Sequence, residues 1–391
     1  MAHSSLRTVA SAAALLLAST AAYAGGFALR EQSVVGQGSS FAGVAAGSGG
    51  VSSQFWNPAT TSLINEYGFI SESNLSLVLP NSEASFGGTD SGNVGEWAFV
   101  PASAYSYGVN DKLTLGLTFG APFGLATDAK NTWAGAILGD RSEVQTYTLG
   151  PSVSYKINDW IAVGLGAQIE YMTMYLDSRS GGSKVFKVDA DDIGLGFTAG
   201  LMLTPTDSTQ IGLGFRSSIH HNLKGDGQYL GTPADMSGEF DTPEMVTLGI
   251  RQQVNERFAL LAGVEWTNWS RFKELAIESP TVSVPVVEED WSDGWYVSLG
   301  GEYAYSDKLV LRAGAAYEDS PVPDSTRTPR IPDNNRVWLS AGASYKLTDT
   351  FSAHLAYSHV FMQDGDVDQS GITTSFDQHL DIVSVGLTSD W

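Results

Sequence analysis

The sequence predicts an all-β fold, a 14-stranded antiparallel transmembrane β-barrel with an N-terminal plug inside its lumen. Three observations predict it. Apolar residues alternate with Gly, Ser, Thr and charged residues along most of the chain, the period-two pattern of strands with unlike faces. Charge is sparse, at 16% of residues, while Gly is abundant, at 43 of 391; ordinary soluble domains carry about 25% charge. The connections alternate between short turns and long loops, as in an up-and-down barrel of the outer membrane.

A soluble sandwich hides its apolar face and needs more surface charge than this chain owns. A membrane barrel inverts the pattern, apolar outward and polar or small inward. The chain is too apolar for disorder. Its net charge of -22 excludes nucleic acid as a partner, because phosphates would be repelled. Zero Cys removes disulfides, thiolate nucleophiles and Cys-zinc sites.

The elements follow in order. Residues 1–24 read as a secretory signal, with Arg7 in the charged region, Ala12–Ala18 as the apolar centre and Ala22-Tyr23-Ala24 before the cleavage point. That apolar run is far shorter than the ~18 residues of a membrane-spanning helix. Residues 25–66 do not alternate and hold Phe27, Phe41, Phe55 and Trp56 among many small residues. A barrel of fourteen strands is too wide to fill with its own side chains, since about eight strands suffice to pack solid. The segment is therefore expected as a plug, the alternative being a periplasmic extension.

Residues 67–391 are expected as the barrel, with strands near 67–79, 97–109, 113–125, 143–156, 161–178, 187–204, 209–224, 242–254, 258–279, 291–305, 309–320, 336–347, 351–363 and 378–391. The fifth shows the pattern clearly: Ile161, Val163, Leu165, Ala167, Ile169 and Tyr171 on one face, Gly164, Gly166, Gln168 and Glu170 on the other. Short turns centre on Asn110-Asp111, Asn158-Asp159, Thr206-Asp207, Asn255-Glu256, Ser306-Asp307 and Thr348-Asp349, all turn-forming pairs. Long loops fall near 80–96, 126–142, 179–186, 225–241, 280–290, 321–335 and 364–377. Short turns then face the periplasm and long loops the outside. Trp391 and Tyr residues near strand ends suit an interfacial aromatic girdle.

Several stretches together are similar to the FadL family of outer-membrane transporters, which includes toluene and xylene uptake proteins. They are Gly26-Phe27-Ala28-Leu29 with Gly36-Gln37-Gly38, Phe55-Trp56-Asn57-Pro58-Ala59, Ala121-Pro122-Phe123-Gly124-Leu125, Arg330 to Arg336, and Trp338-Leu339-Ser340. They occur in order across the whole mature chain. The resemblance implies passive uptake of hydrophobic compounds, long-chain fatty acids first and monoaromatic hydrocarbons as the alternative. Substrate passes from outer loops to a lumen pocket, and a hatch movement opens a sideways route beside a kink in the third strand. The implied hatch residues are Gly25, Phe27, Asn57, Pro58 and Ala59, with the new α-amino group of Gly25 near substrate.

The residues give these parts a physical reading. Gly120, Ala121, Pro122, Phe123 and Gly124 crowd the third strand with residues that remove a ladder donor or mark a kink. They open the wall there or simply end the strand. Pro58 fixes its own backbone and restricts Asn57, so Asn57-Pro58-Ala59 sets a tight turn, gating or leading into the first strand. Arg216, Arg251 and Arg312 face inward with Glu170, Glu265, Glu302 and Glu318, either to hold a substrate carboxylate or to form ion pairs. The outer loop near 179–186 is short and polar, which departs from the long landing groove of fatty-acid members.

No nucleophile elbow, phosphate loop or metalloprotease spacing appears, so neither an enzyme nor a cofactor is expected. No metal site is expected either, because His220 and His221 point to opposite faces of a strand. The expected partners are hydrophobic small molecules together with outer-membrane lipid and lipopolysaccharide. A monomer is expected. A general diffusion porin is the remaining alternative, and a filled lumen argues against it.

Overall fold

The computed structural model describes residues 25–64, 68–129 and 132–391. The expected signal at 1–24 and the plug-to-barrel boundary at 66–67 lie outside the described residues. A single antiparallel sheet closes on itself in fourteen spans. They are Phe69–Phe86, Ala98–Gly108, an interrupted third span (Leu113–Gly120 and Gly124–Asp128), Arg141–Asn158, Ile161–Ser180 and Ser183–Thr206. Two more interrupted spans follow, Thr209–Arg216 with Ile219–Tyr229 and Thr232–Thr242 with Met245–Asn255. The last six are Phe258–Thr267, Gly294–Ala304, Leu309–Asp319, Arg336–Lys346, Phe351–Met362 and Ile372–Asp390. Each pairs with its neighbours in sequence, and the first closes on the last from Ile70 opposite Asp390 to Glu83 opposite Asp377.

The alternation sorts the two faces as expected of a membrane barrel. Outward-pointing Leu165, Leu195, Leu299 and Val385 are exposed, whereas inward Glu170, Ser154, Glu265 and Ser298 are buried. His220 faces out and bonds Asp241, while His221 is buried beside Glu170.

Strand ends differ from the sequence reading at the long-loop rim. The ninth strand stops at Thr267, not 279, and the chain turns through a short helical turn at Trp269–Arg271 into a loop carrying a two-residue hairpin. The regions read as long loops near 225–241 and 179–186 are strand instead, turning at Leu230-Gly231 and Gly181-Gly182. Polar sequence misled here because strands that rise past the membrane no longer need an apolar face.

Residues 25–64 are almost entirely buried and touch the inner wall on many sides. They form a short helix at Val34–Gln37 and three 3-10 turns, Val44–Ala46, Gly50–Phe55 and Pro58–Leu63. The wall is glycine where this segment's backbone presses on it. A Cβ at Gly212 would stand 1.7 Å from the Ala45 carbonyl oxygen, and one at Gly214 1.8 Å from that of Trp56. No L side chain fits at such a distance.

Polar wall residues satisfy the segment's own polar groups. Glu72 accepts from the Val51 amide at 3.0 Å and the Ser52 hydroxyl at 2.7 Å. Arg30 donates to Glu265 at 2.6 Å and Glu318 at 3.1 Å, with its guanidinium 3.7 Å from the Tyr296 ring centre. Buried charges persist when paired and hydrogen-bonded, as these are.

Candidate functional site

The wall is broken in its third strand. Leu113–Gly120 pairs with the second strand only as far as Phe119 opposite Ser103. Beyond that, the second strand continues to Ala98 with no ladder partner on this side among the described residues, and a bridge joins Gly95 to Thr127. Ala121 and Pro122 leave the ladder, and Gly124–Asp128 rejoins the fourth strand. Pro122 has no N–H to offer, so only its carbonyl can bond there.

The freed groups turn to the N-terminal segment. The Leu29 amide donates to the Pro122 carbonyl at 2.7 Å, and the Gly124 amide to that of Phe27 at 2.8 Å. The Gln32 side chain donates to the Ala121 carbonyl at 2.9 Å. A Cβ at Gly120 would lie 2.1 Å from the Gln32 amide oxygen. Phe123 is tied to Thr146 of the fourth strand, whose hydroxyl accepts from the Phe123 amide at 2.9 Å.

Phe27 leads from this break to an aromatic cluster. Its ring lies 4.7 Å from Trp269, 5.6 Å from Phe240, 5.9 Å from Trp291 and 6.1 Å from Phe123. The Gly25 amide donates to Glu318 at 3.0 Å and the Gly26 amide to Asp333 at 2.8 Å.

Asn57-Pro58-Ala59 forms a cap. Asn57 has extended backbone and its side-chain oxygen accepts from the Ala59 amide at 3.0 Å, with Pro58 opening the 3-10 turn. Its side-chain nitrogen donates to the carbonyls of Ala45 at 2.7 Å and of Leu201, on the sixth strand, at 3.0 Å. Ala59 is fully buried against Gly164 and Gly200.

Two spaces open toward the long-loop rim. The outer is a cavity of about 730 Å³, lined by Phe186, Tyr229, Ile277, Val284 and Val286 among others; that is ample for a drug-sized ligand. Below it lies a narrow chamber of Met172, Met174, Leu176, Phe240, Phe272 and Phe27, of about 40 Å³. As it stands, it has room for only a few water-sized molecules. Larger cargo needs its side chains to move.

Arg330 joins the two spaces. It donates to the hydroxyls of Ser142 at 3.0 Å and Ser178 at 2.6 Å, and among the described residues no carboxylate forms an ion pair with it. Burial lowers its pKa to about 10, which leaves it a cation. Glu289 shares the same wall, accepting from the Trp291 indole at 3.0 Å, and burial raises it to about 7.

The three arginines named from sequence lie elsewhere. Arg251 and Arg312 both pair with Glu302, at 3.1 and 2.9 Å, near the short-turn rim. Arg216 donates to the Phe55 carbonyl at 3.0 Å and lies over its ring. None lines either cavity. Sequence reasoning missed Arg330 as a cavity residue, since loop residues have no parity to orient them. It missed Met172, Met174 and Leu176 too, although the inward face of the fifth strand switches there from polar to apolar.

A closed fourteen-strand barrel, apolar outside and holding a cavity at one rim, defines an integral outer-membrane transport protein. The chain matches the model of the family "Outer membrane protein transport protein (OMPP1/FadL/TodX)" over residues 15–388, and it belongs to that family. It is 26% identical to the long-chain fatty acid transport protein of Salmonella typhi, covering 90% of this chain and 91% of that one. Its fold is similar to that of a crystallised FadL homologue from Pseudomonas aeruginosa, with a TM-score of 0.86 and 23% identity over 93% of this chain and 99% of that one. It is also similar in fold to the toluene transporter TbuX of Ralstonia pickettii, with a TM-score of 0.72 and 18% identity over 91% and 98% of the two chains.

Proposed function

We propose that this transporter carries long-chain fatty acids inward across the outer membrane without an energy source. The carrying observation is Arg330, a half-buried cation without a carboxylate partner among the described residues, set between an outer cavity and an apolar inner chamber. An alkyl chain gains about 0.8 kcal/mol per buried methylene. A guanidinium gives a carboxylate two charge-assisted hydrogen bonds. The pairing suits an amphiphile whose head is anionic.

In this reading residues 1–24 are removed on export and residues 25–64 are the hatch, with Gly25 to Leu29 as its moving tip. The third-strand break at Gly120–Gly124 is the side exit, held shut by backbone bonds from Phe27 and Leu29. Shifting that tip frees the gap and widens the chamber around Phe27 together. Arg216, Arg251 and Arg312 then hold wall and hatch rather than cargo.

A second reading, uptake of monoaromatic hydrocarbons, is favoured by the rings of Phe27, Phe240 and Phe272 that line the chamber, backed by Trp269 and Trp291. Arg330→Gln separates the two. A bacterial strain lacking its own transporter and expressing this variant should take up oleate at least about tenfold more slowly, the loss of one charged hydrogen-bonding site, with toluene uptake unchanged. Equal oleate uptake by variant and wild type would refute the fatty-acid reading.

A further inference from the structure

The outer cavity and the inner chamber share Leu275, Glu289 and Arg330, so cargo moving between them passes these side chains. Arg330 commits two of a guanidinium's five N–H donors, one each to Ser142 and Ser178. Glu289 is buried, and Trp291 occupies its Oε2. The two residues sit on different loops, Glu289 between the ninth and tenth strands and Arg330 between the eleventh and twelfth.

We propose that Glu289 determines head-group specificity: as a neutral acid it leaves Arg330 to an anionic head, and as a carboxylate it excludes one. This rests on the reading of Arg330 as the head-group receiver. Two anions facing one cation in a buried neck repel each other, and one of them must be protonated. A neutral head such as an alcohol meets no such condition and bonds to either form of Glu289.

The surroundings leave Arg330 as the cation that answers Glu289. Asp140 and Asp177, near Arg330, are engaged by Arg179 and Lys184. Lys273, whose carbonyl accepts from the Glu289 amide, pairs with Asp290. Arg327, beside the Thr326 hydroxyl that bonds the Glu289 carbonyl, pairs with Asp324. Glu288 lines the outer cavity and is exposed. Burial places the titration of Glu289 at about 7. Its acid form therefore falls from about nine-tenths at pH 6 to about one-tenth at pH 8. Above neutrality, binding an anionic head takes one proton from solvent onto Glu289.

A fatty acid is itself a titratable carboxylic acid, so the probes are decane-1-sulfonate, an anion throughout, and decan-1-ol. Binding to the purified full-length barrel in detergent is followed by tryptophan fluorescence, Trp291 and Trp269 being beside the site. From pH 6 to pH 8 the wild type should lose about tenfold in sulfonate affinity, one pH unit past the midpoint on either side, with alcohol affinity flat. Glu289→Gln should bind sulfonate equally at both values. A wild type indifferent to pH, or a dependence that survives in Glu289→Gln, overturns the proposal. Calorimetry of the wild type alone, in buffers of different ionisation enthalpy, gives a second measurement. It should count about one proton taken up per sulfonate at pH 8, and zero overturns the proposal. Binding of both probes without pH dependence refutes this inference alone, whereas binding of neither refutes the fatty-acid reading as well.

Discussion

Asn57 uses its whole side chain to hold one turn, accepting from Ala59 and donating to Ala45 and Leu201. Asn57→Ala strands these groups in the interior, at roughly 1–3 kcal/mol for each one left unpaired. The wall keeps its own ladder, so the barrel should fold while residues 25–64 loosen. Planar-bilayer recordings should then show higher conductance and more frequent openings than wild type; a trace like wild type would deny Asn57 this role. Asn57 was legible because Pro58 restricts it and a short amide suits a cap. Arg330 was legible as part of a family-like stretch, but its place between two cavities was not. That place is set by contacts with Ser142 and Ser178, 188 and 152 residues away in sequence. Arg251 and Arg312 were legible as inward-facing and as candidates for ion pairs, and Glu302 takes both, Arg312 from the adjacent strand and Arg251 from across the ninth.

Among elements, the third strand does the most with the fewest residues. Its break places the N-terminal segment where the second strand would otherwise pair. Gly120→Leu drives a side chain into Gln32, whose amide holds the Ala121 carbonyl. The variant should keep the heat-modifiable gel shift of a folded barrel and lose most uptake, and full uptake would sink the sideways exit. Density of Gly and Pro at 120–124 made this interruption readable. The interruptions at Ser217-Ser218 and Pro243-Glu244 were not foreseen, although Pro243 marks the second. They fall side by side, so the seventh and eighth strands are interrupted together between the Arg216–Met245 and Ile219–Thr242 pairs. Period-two patterning gives parity and count, and it is silent on interruptions shared by paired strands.

At the scale of the molecule, the barrel closes on a filled interior. Removal of residues 25–64 should convert a quiet, low-conductance protein into a steadily open pore. A deletion variant as silent as wild type would mean that the outer loops, not this segment, close the lumen. The count of fourteen was readable from alternating turn lengths, and the width that follows from it is what suggested a plug. The path of the filling was not readable, since no periodicity describes 3-10 turns. Yet the wall records that path. Inward glycines such as Gly212, Gly214, Gly249, Gly314 and Gly342 stand where the segment's backbone lies against the strands. The lumen surface is thus a cast of its contents, negative to positive. A barrel engineered into a pore by emptying it inherits bare furrows of exposed backbone where that chain once lay. Narrowing or tuning such a pore begins by placing side chains in the furrows, at positions that no occupied barrel of this shape tolerates.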